Sequence, residues 1–419
     1  MTTSRTLTQW LAYLESIHPT AIDMGLDRVK QVAATLNIHF NSRVVIVGGT
    51  NGKGTTCALM EQALLRSGRT VGVYSSPHLL DYRERVRVQG ELPDEAVFCT
   101  AFQQVEKARG SISLTYFEFG TLAAMLMLMQ AELDVVILEV GLGGRLDATN
   151  IVETDCAVIT SIGLDHQDWL GDTREKIATE KAGIIRQTGK VVIGEPQPPE
   201  TLIDAVKQKQ ANALWQGKDF SISETAQGLL LLHPDGRTIA LPDTVIPANN
   251  VATAFATLHH LGYTFDDAAL ADVVANTRLP GRRQLIATQP KTYLDVGHNP
   301  QATESLATWL TKQSFTSLHI VMAMLKDKAL GPSLAPFAPF NPVWYVASTE
   351  GPRGLSAEAL SKAVPVGQTQ QQFAHVTDAF YAAQALATQA QAGNDALILV
   401  VGSFHTVADI LALPHNTLK

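Results

Sequence analysis

Short apolar runs bounded by turn residues alternate with helix-length segments along most of this 419-residue chain. That alternation is the pattern of an α/β protein with a largely parallel sheet. The first strands expected are Arg43–Val47, Thr70–Tyr74, Asp134–Val140, Cys156–Thr160 and Lys190–Ile193, with helices at Thr55–Ser67, Asp94–Arg109, Glu118–Ala131 and Thr173–Ile184 between them. A second series follows Leu279-Pro280-Gly281-Arg282-Arg283, with strands expected at Thr292–Asp295, Leu318–Met322, Val343–Ala347 and Ala396–Val401. Phe220–Leu241 alternates irregularly and reads as an antiparallel appendage to the first series. A chain of this length exceeds one ordinary core. Two domains are therefore expected, residues 1–283 and a smaller α/β domain of residues 284–419, with turn residues of the Pro280 to Pro290 stretch marking the boundary.

Composition narrows the partners. Hydrophobic residues at 46% and charged residues at 17% are the balance of a globular chain. A net charge of -8 supplies no basic excess for neutralising nucleic-acid phosphates, so no nucleic-acid partner is expected. The longest apolar run, Leu122 to Met129, is far short of the roughly 20 residues a membrane span needs, and it reads as a buried helix. No membrane association is expected. Cys57, Cys99 and Cys156 are odd in number and widely spaced, which suits a reducing compartment, and the polar start of the chain lacks a secretion signal. A cytoplasmic location is the expectation.

The strongest local signal is Val45-Ile46-Val47-Gly48-Gly49-Thr50-Asn51-Gly52-Lys53-Gly54-Thr55-Thr56, a strand running through a glycine-rich turn into a helix. Such a turn aims backbone N–H groups at phosphate oxygens, and the helix N-terminus adds positive potential. Lys53 would neutralise the outer phosphates, and a hydroxyl of Thr55 or Thr56 could reach magnesium. Gly54 stands between the lysine and the threonine, a departure from G-x-x-x-x-G-K-[ST]. A second signal is the apolar strand ending at Glu139 and followed by Val140-Gly141-Leu142-Gly143-Gly144-Arg145-Leu146-Asp147-Ala148-Thr149-Asn150. Ligands of open α/β sheets gather at the carboxyl ends of strands, which would turn Glu139 toward the phosphate loop. Polar residues also follow strands at Thr160-Ser161, Asp165-His166, Asp295-Val296-Gly297-His298 and Gly402-Ser403-Phe404-His405, each of which alone reads equally well as a hydrogen-bonded turn.

The set Gly49-Thr50-Asn51-Gly52-Lys53-Gly54, Tyr74-Ser75-Ser76-Pro77-His78, Glu139 to Asn150, Asp165-His166, Glu180-Lys181-Ala182-Gly183 and Asp295-x-x-His298-Asn299-Pro300 closely resembles the folylpolyglutamate synthase/dihydrofolate synthase family within the Mur ligase superfamily. Ile22-Asp23-Met24-Gly25-Leu26 and Leu114-Thr115-Tyr116-Phe117-Glu118 look like the pterin-binding segments of its bifunctional bacterial members. The resemblance implies an N-terminal P-loop nucleotide-binding domain with a parallel sheet and a C-terminal Rossmann-like domain, with ATP in the cleft. Carried over by position, it implies that Thr50, Asn51, Gly52, Lys53, Gly54, Thr55, Asn250, Arg282 and Asp295 bind ATP, and that Ser76, Glu139 and His166 hold magnesium. It further implies that Asp23, Met24, Gly25, Leu26, Thr115, Tyr116, Phe117, Glu118, Leu146, Asp147 and Ala148 surround dihydropteroate. Lys53, Lys181 and His298 would be catalytic, and Lys181 would be the carboxylated lysine of the family. The implied cofactors are ATP, one or two Mg2+ ions and an optional monovalent cation; the implied partners are dihydropteroate, reduced folates and L-glutamate, acting on a monomer.

The activity implied is ATP-dependent joining of glutamate to a folate-pathway carboxylate through an acyl phosphate, with closure about the Pro280 to Pro290 stretch excluding water. A folylpolyglutamate synthase without dihydropteroate activity would keep the same general motifs. A Mur-type ligase of UDP-sugars would need a further N-terminal domain, for which the stretch before Arg43 is too short. A non-catalytic nucleotide switch would not need Glu139, His166 and Lys181 together.

Overall fold

The computed structural model describes residues 5–389 and 395–414. The chain divides into two compact units, Met1–Ile162 with Thr173–Thr277, and Gly163–Asp172 with Arg278–Lys419.

The first unit is built on a seven-stranded sheet in the order β3-β2-β4-β1-β5-β6-β7. Its strands are β1 (Arg43–Gly48), β2 (Val71–Tyr74), β3 (Val86–Val88), β4 (Val135–Glu139), β5 (Cys156–Ile159), β6 (Lys190–Ile193) and β7 (Asn212–Trp215). All neighbours run parallel except the edge strand β3, which pairs antiparallel with β2. Central strands are buried on both faces, which is why they read as unbroken apolar runs. Alternate residues serve opposite faces: Val45, Val47, Val135 and Ile137 pack with the helices Lys53–Arg66, Ala248–His260 and Asp267–Asn276. Val44, Val136 and Leu138 face Leu7–Ser16, Asp27–Thr35, Glu95–Arg109 and Tyr116–Gln130. The last of these helices is buried all round from Phe119 to Leu128, so the long apolar run is a core helix as expected. Each fully buried Leu or Phe there contributes about 2 kcal/mol. The irregular segment forms a three-stranded antiparallel sheet, β8 (Ser221–Thr225), β9 (Gly228–Leu232) and β10 (Thr238–Leu241), in the order β10-β9-β8.

The second unit holds a six-stranded sheet in the order β11-β12-β16-β13-β14-β15. Its strands are β11 (Gln284–Thr288), β12 (Lys291–Asp295), β13 (Ser317–Met322), β14 (Val343–Ala347), β15 (Gln370–Phe373) and β16 (Ala396–Val401). Only β11 is antiparallel to its neighbour. Neither edge strand stands out in the sequence. Most of β15 is exposed glutamine, and β3 is only a three-residue strand whose pairing is set by β2.

The division between the units falls at Thr277–Arg278 rather than after residue 283, and Gly163–Asp172 goes with the second unit. Hydrogen bonds account for both features. Val296 N donates to Gly281 O at 2.9 Å and Arg283 N to Asp295 Oδ2 at 2.9 Å, which fastens the Pro280 turn to the end of β12. Asp165 is held inside the second unit by Lys328, His298 and Asn299.

Candidate active site

In the first unit, β1 ends at Gly48 and the helix Lys53–Arg66 begins four residues after Gly49. Gly52, at φ +87°, is the left-handed residue that turns the chain into the helix. A side chain there would also meet Asn250, whose Oδ1 lies 2.4 Å from where a Cβ would stand. Asn250, on the helix Ala248–His260 of the first unit, thus sits directly on this turn. The turn is pinned from β5: Thr50 N donates to Ser161 O at 2.8 Å, Asn51 N to Ser161 Oγ at 2.9 Å, and Thr160 Oγ1 to Asn51 O at 2.6 Å. The Lys53 ammonium curls back onto Gly49 O and Thr50 O at 3.1 and 3.3 Å. Thr55 and Thr56 are buried in the first turn, and Gly54 has Glu139 beside it, its Oε2 3.5 Å from a Cβ position.

Glu139 is buried at the carboxyl end of β4, and Ser76 N, ahead of a cis Ser76–Pro77 bond, reaches its Oε2 at 3.4 Å. Lys181 is 4% exposed and donates from Nζ to Gly49 O at 2.9 Å. Its helix, Arg174–Ala182, is docked on the loop after β4 by Arg145, whose N reaches Glu180 O and whose Nη2 reaches Glu180 Oε1, each at 2.8 Å. Glu139, Lys181 and Asn250 therefore meet the phosphate loop within one unit, with Ser76 joined to it through Glu139, although they lie far apart in sequence. The hard oxygens of Glu139 and Ser76 fit a magnesium-type ion.

The segments expected around the pterin are also joined. Arg28 Nη1 pairs with Asp23 at 2.8 Å and Arg28 Nη2 with Glu118 Oε1 at 2.9 Å. His18 Nε2 lies 3.3 Å from the same Asp23 carboxylate, and His18 Nδ1 is 2.7 Å from Ser113 Oγ. Glu118 Oε2 caps its own helix by accepting from Thr115 N at 2.7 Å, while Glu118 N donates to Thr115 Oγ1. Both Glu118 oxygens are engaged, so Glu118 fixes Arg28 and the helix start. Tyr116 packs edge-on to Tyr82, and Phe117 lies against Gly141, where a Cβ would fall 2.4 Å from the ring. Asp147 is buried, and burial pushes its carboxyl up against the opposing hydrogen bonds from Thr149 and Leu142. Met24, Gly25 and Leu26 lead into the helix Asp27–Thr35, and Leu146 and Ala148 flank Asp147.

Within the second unit, a polar cluster gathers around Asp165. His166, in the left-handed conformation, follows Asp165, whose Oδ1 is 2.6 Å from Lys328 Nζ. His298 Nε2 lies 3.3 Å from Asp165 Oδ2, and Asn299 Nδ2 donates to that oxygen at 3.0 Å. Burial alone would raise the Asp165 carboxyl, but His298, Lys328 and His166 hold it far below the usual carboxylate range. Asp295 accepts from the backbone N–H groups of Arg283 and Gly297, so it shapes the turn after β12. Arg282 stacks over Phe404, 4.9 Å from its centroid, just after Ser403. Lys328, Arg28 and His18 escape a reading of the sequence. Lys328 follows Lys326 and Asp327 in the turn after β13, and only burial separates it from the exposed Lys326.

Comparisons with known proteins show the family to which the chain belongs. The Mur ligase middle domain matches residues 47–257 and the Mur ligase, glutamate ligase domain matches residues 281–404. The dihydrofolate synthase/folylpolyglutamate synthase of Escherichia coli (strain K12) is 44% identical over 407 residues, covering 97% of this chain and 94% of that protein. Its Haemophilus influenzae counterpart is 42% identical, covering 97% of each. Among solved structures, E. coli FolC in complex with DHPP and ADP superposes with a TM-score of 0.92 at 44% identity, covering 97% of both chains. A bifunctional folylpolyglutamate synthase/dihydrofolate synthase with Mn, AMPPNP and L-glutamate bound gives 0.90 at 44% identity, covering 98% of both.

Proposed function

From the membership of this chain in the dihydrofolate synthase/folylpolyglutamate synthase family of Mur ligases, we propose how its own residues divide the work of an ATP-dependent glutamate ligase. The enzyme joins L-glutamate to dihydropteroate and to reduced folates, using ATP and a divalent metal. An oxygen of the substrate carboxylate attacks the γ-phosphorus and the bond to ADP breaks. The glutamate amine then attacks the acyl carbon, phosphate leaves and the amine loses a proton.

Lys53 serves the first step. Its ammonium rests on two carbonyl oxygens of its own loop, a weak neutral-acceptor arrangement that anionic phosphates would displace. Gly52 and Asn250 hold the turn into the helix Lys53–Arg66, whose first N–H groups, from Gly52 to Thr55, are assigned to the phosphates, while Thr50 and Asn51 donate their N–H groups to Ser161 and shape the loop ahead of it. Arg282 and Asp295 are assigned to the nucleotide, and His298 to catalysis, by their motif positions in the second unit. Glu139 and Ser76 supply hard oxygens for the metal, with His166 assigned to it by its motif. When bound, such an ion neutralises phosphate oxygens. Lys181 as a carbamate would keep one N–H on the same nitrogen, enough to retain its bond to Gly49 O, while its carboxylate adds oxygen ligands of the kind magnesium prefers.

The observation that carries the acceptor assignment is the Arg28 bridge between Asp23 and Glu118. It ties Asp23–Leu26 to Thr115–Glu118, on the helix whose Phe117 lies against Gly141, at the start of the loop that runs on to Leu146–Ala148. Polar groups for a pterin ring and an aromatic wall are thus fixed together. The test is phosphate release from ATP with each acceptor: release that needs both an acceptor and glutamate, for dihydropteroate and tetrahydrofolate alike, is expected. Activity with tetrahydrofolate alone would reduce the reading to folylpolyglutamate synthesis.

A further inference from the structure

Away from the phosphate loop, the described residues hold one group of three imidazole and carboxylate side chains suited to an ion: His233, Asp235 and His259, with ligand atoms all within 4.8 Å of one another. The first two lie in the turn joining β9 to β10, and the third in the last turn of the helix Ala248–His260. The turn is rigidly built. His233 N donates to Arg237 O at 2.8 Å, Gly236 N to His233 O at 2.9 Å, and Arg237 N to Asp235 Oδ1 at 3.0 Å. His233 is buried, its Nδ1 is 2.9 Å from Asp235 Oδ1, and its ring meets that of His259 edge-on at 4.9 Å.

We propose that His233, Asp235 and His259 form a binding site for a transition-metal dication of the zinc type, with water completing its coordination. Two imidazoles and one carboxylate are a borderline donor set that suits zinc, copper or nickel and disfavours the all-oxygen preference of magnesium. Ligand bonds of about 2.0–2.1 Å place tetrahedral donors roughly 3.3 Å apart, so no pair here has to close by more than about 1.5 Å. Rotation of the half-buried His259 can supply that, since His233 is fixed by the turn. The carboxylate is already oriented from outside: Arg237 Nε holds Asp235 Oδ2 at 2.8 Å, leaving Oδ1 toward His233. Asp267 takes the other end of Arg237 at 2.7 Å and offsets the guanidinium charge beside the site. A bound ion would staple the β9–β10 hairpin to the end of the helix Ala248–His260.

The test is calorimetric titration of the full chain with Zn2+ in excess Mg2+ and a non-hydrolysable ATP analogue, which occupy the nucleotide-linked metal position. Zinc binding to the parent chain is expected, together with an upward, saturable shift in Tm. Two variants on different elements, His259→Gln and Asp235→Asn, are expected to lower zinc affinity at least tenfold while magnesium-supported ligase turnover stays unchanged. Absence of zinc binding in the parent chain overturns the proposal. So does an isotherm that is the same in the parent chain and both variants, since the ion would then sit elsewhere.

Discussion

Removing the buried cation beside Asp165, by Lys328→Met, should cost the second unit about 3 kcal/mol. The pair is 2.6 Å apart, with side chains only 4% and 7% exposed, so solvent screens it little. At an effective dielectric near 20 the gross attraction at that distance is about 6 kcal/mol. Relief of the lysine's desolvation offsets part of this, and losing one partner of a buried pair typically costs about 3–5 kcal/mol. His298 and Asn299 still contact the carboxylate, which puts the expectation at the low end. For a unit of this size each kcal/mol moves Tm by about 2–4 °C, so calorimetry should show a fall of about 6–12 °C at neutral pH. The sign of the pH dependence also follows. Because the folded carboxyl is held low, its contribution is present above the unfolded value near 3.9 and is lost as pH falls toward the folded one. The gap between the parent chain and Lys328→Met should therefore narrow below about pH 4. Asp165→Asn combined with Lys328→Met should recover much of the loss, since no charge is then buried alone. A single-variant shift under about 1 kcal/mol, or a double variant worse than the single, would refute this account of the cluster.

Gly52→Ala should weaken nucleotide binding at least tenfold by calorimetry, because φ +87° costs an L-residue about 1–2 kcal/mol and the added carbon lands on Asn250; an unchanged Kd would remove the turn geometry from the argument. Lys53→Ala should cut kcat by about 10²–10³ with little change in Tm, since the side chain bonds its own loop rather than filling a core, and undiminished turnover would defeat the phosphate-loop assignment. Lys181→Ala should be inactive and partly rescued by acetate or formate, which replace a carbamate's oxygens; rescue by small amines instead would establish a cationic role.

What the sequence alone determined about this protein was its local grammar. Apolar strand runs, the glycine turn before Lys53 and the buried helix around Leu122–Met129 are set by neighbours a few residues away, and the structure keeps them within a residue or two. The family motifs marked the chemistry, and Glu139, Lys181 and Asn250 do gather at the phosphate loop. Tertiary structure decided what depends on distant partners. No local pattern distinguishes buried Lys328 from exposed Lys326, because burial is conferred by Asp165, which lies 163 positions earlier. Arg28 likewise acquires its bridging role only when Glu118, 90 residues on, arrives beside it. The loop Gly163–Asp172 joins the second unit for the same reason: a buried carboxylate follows the groups that compensate its charge, wherever the chain places them.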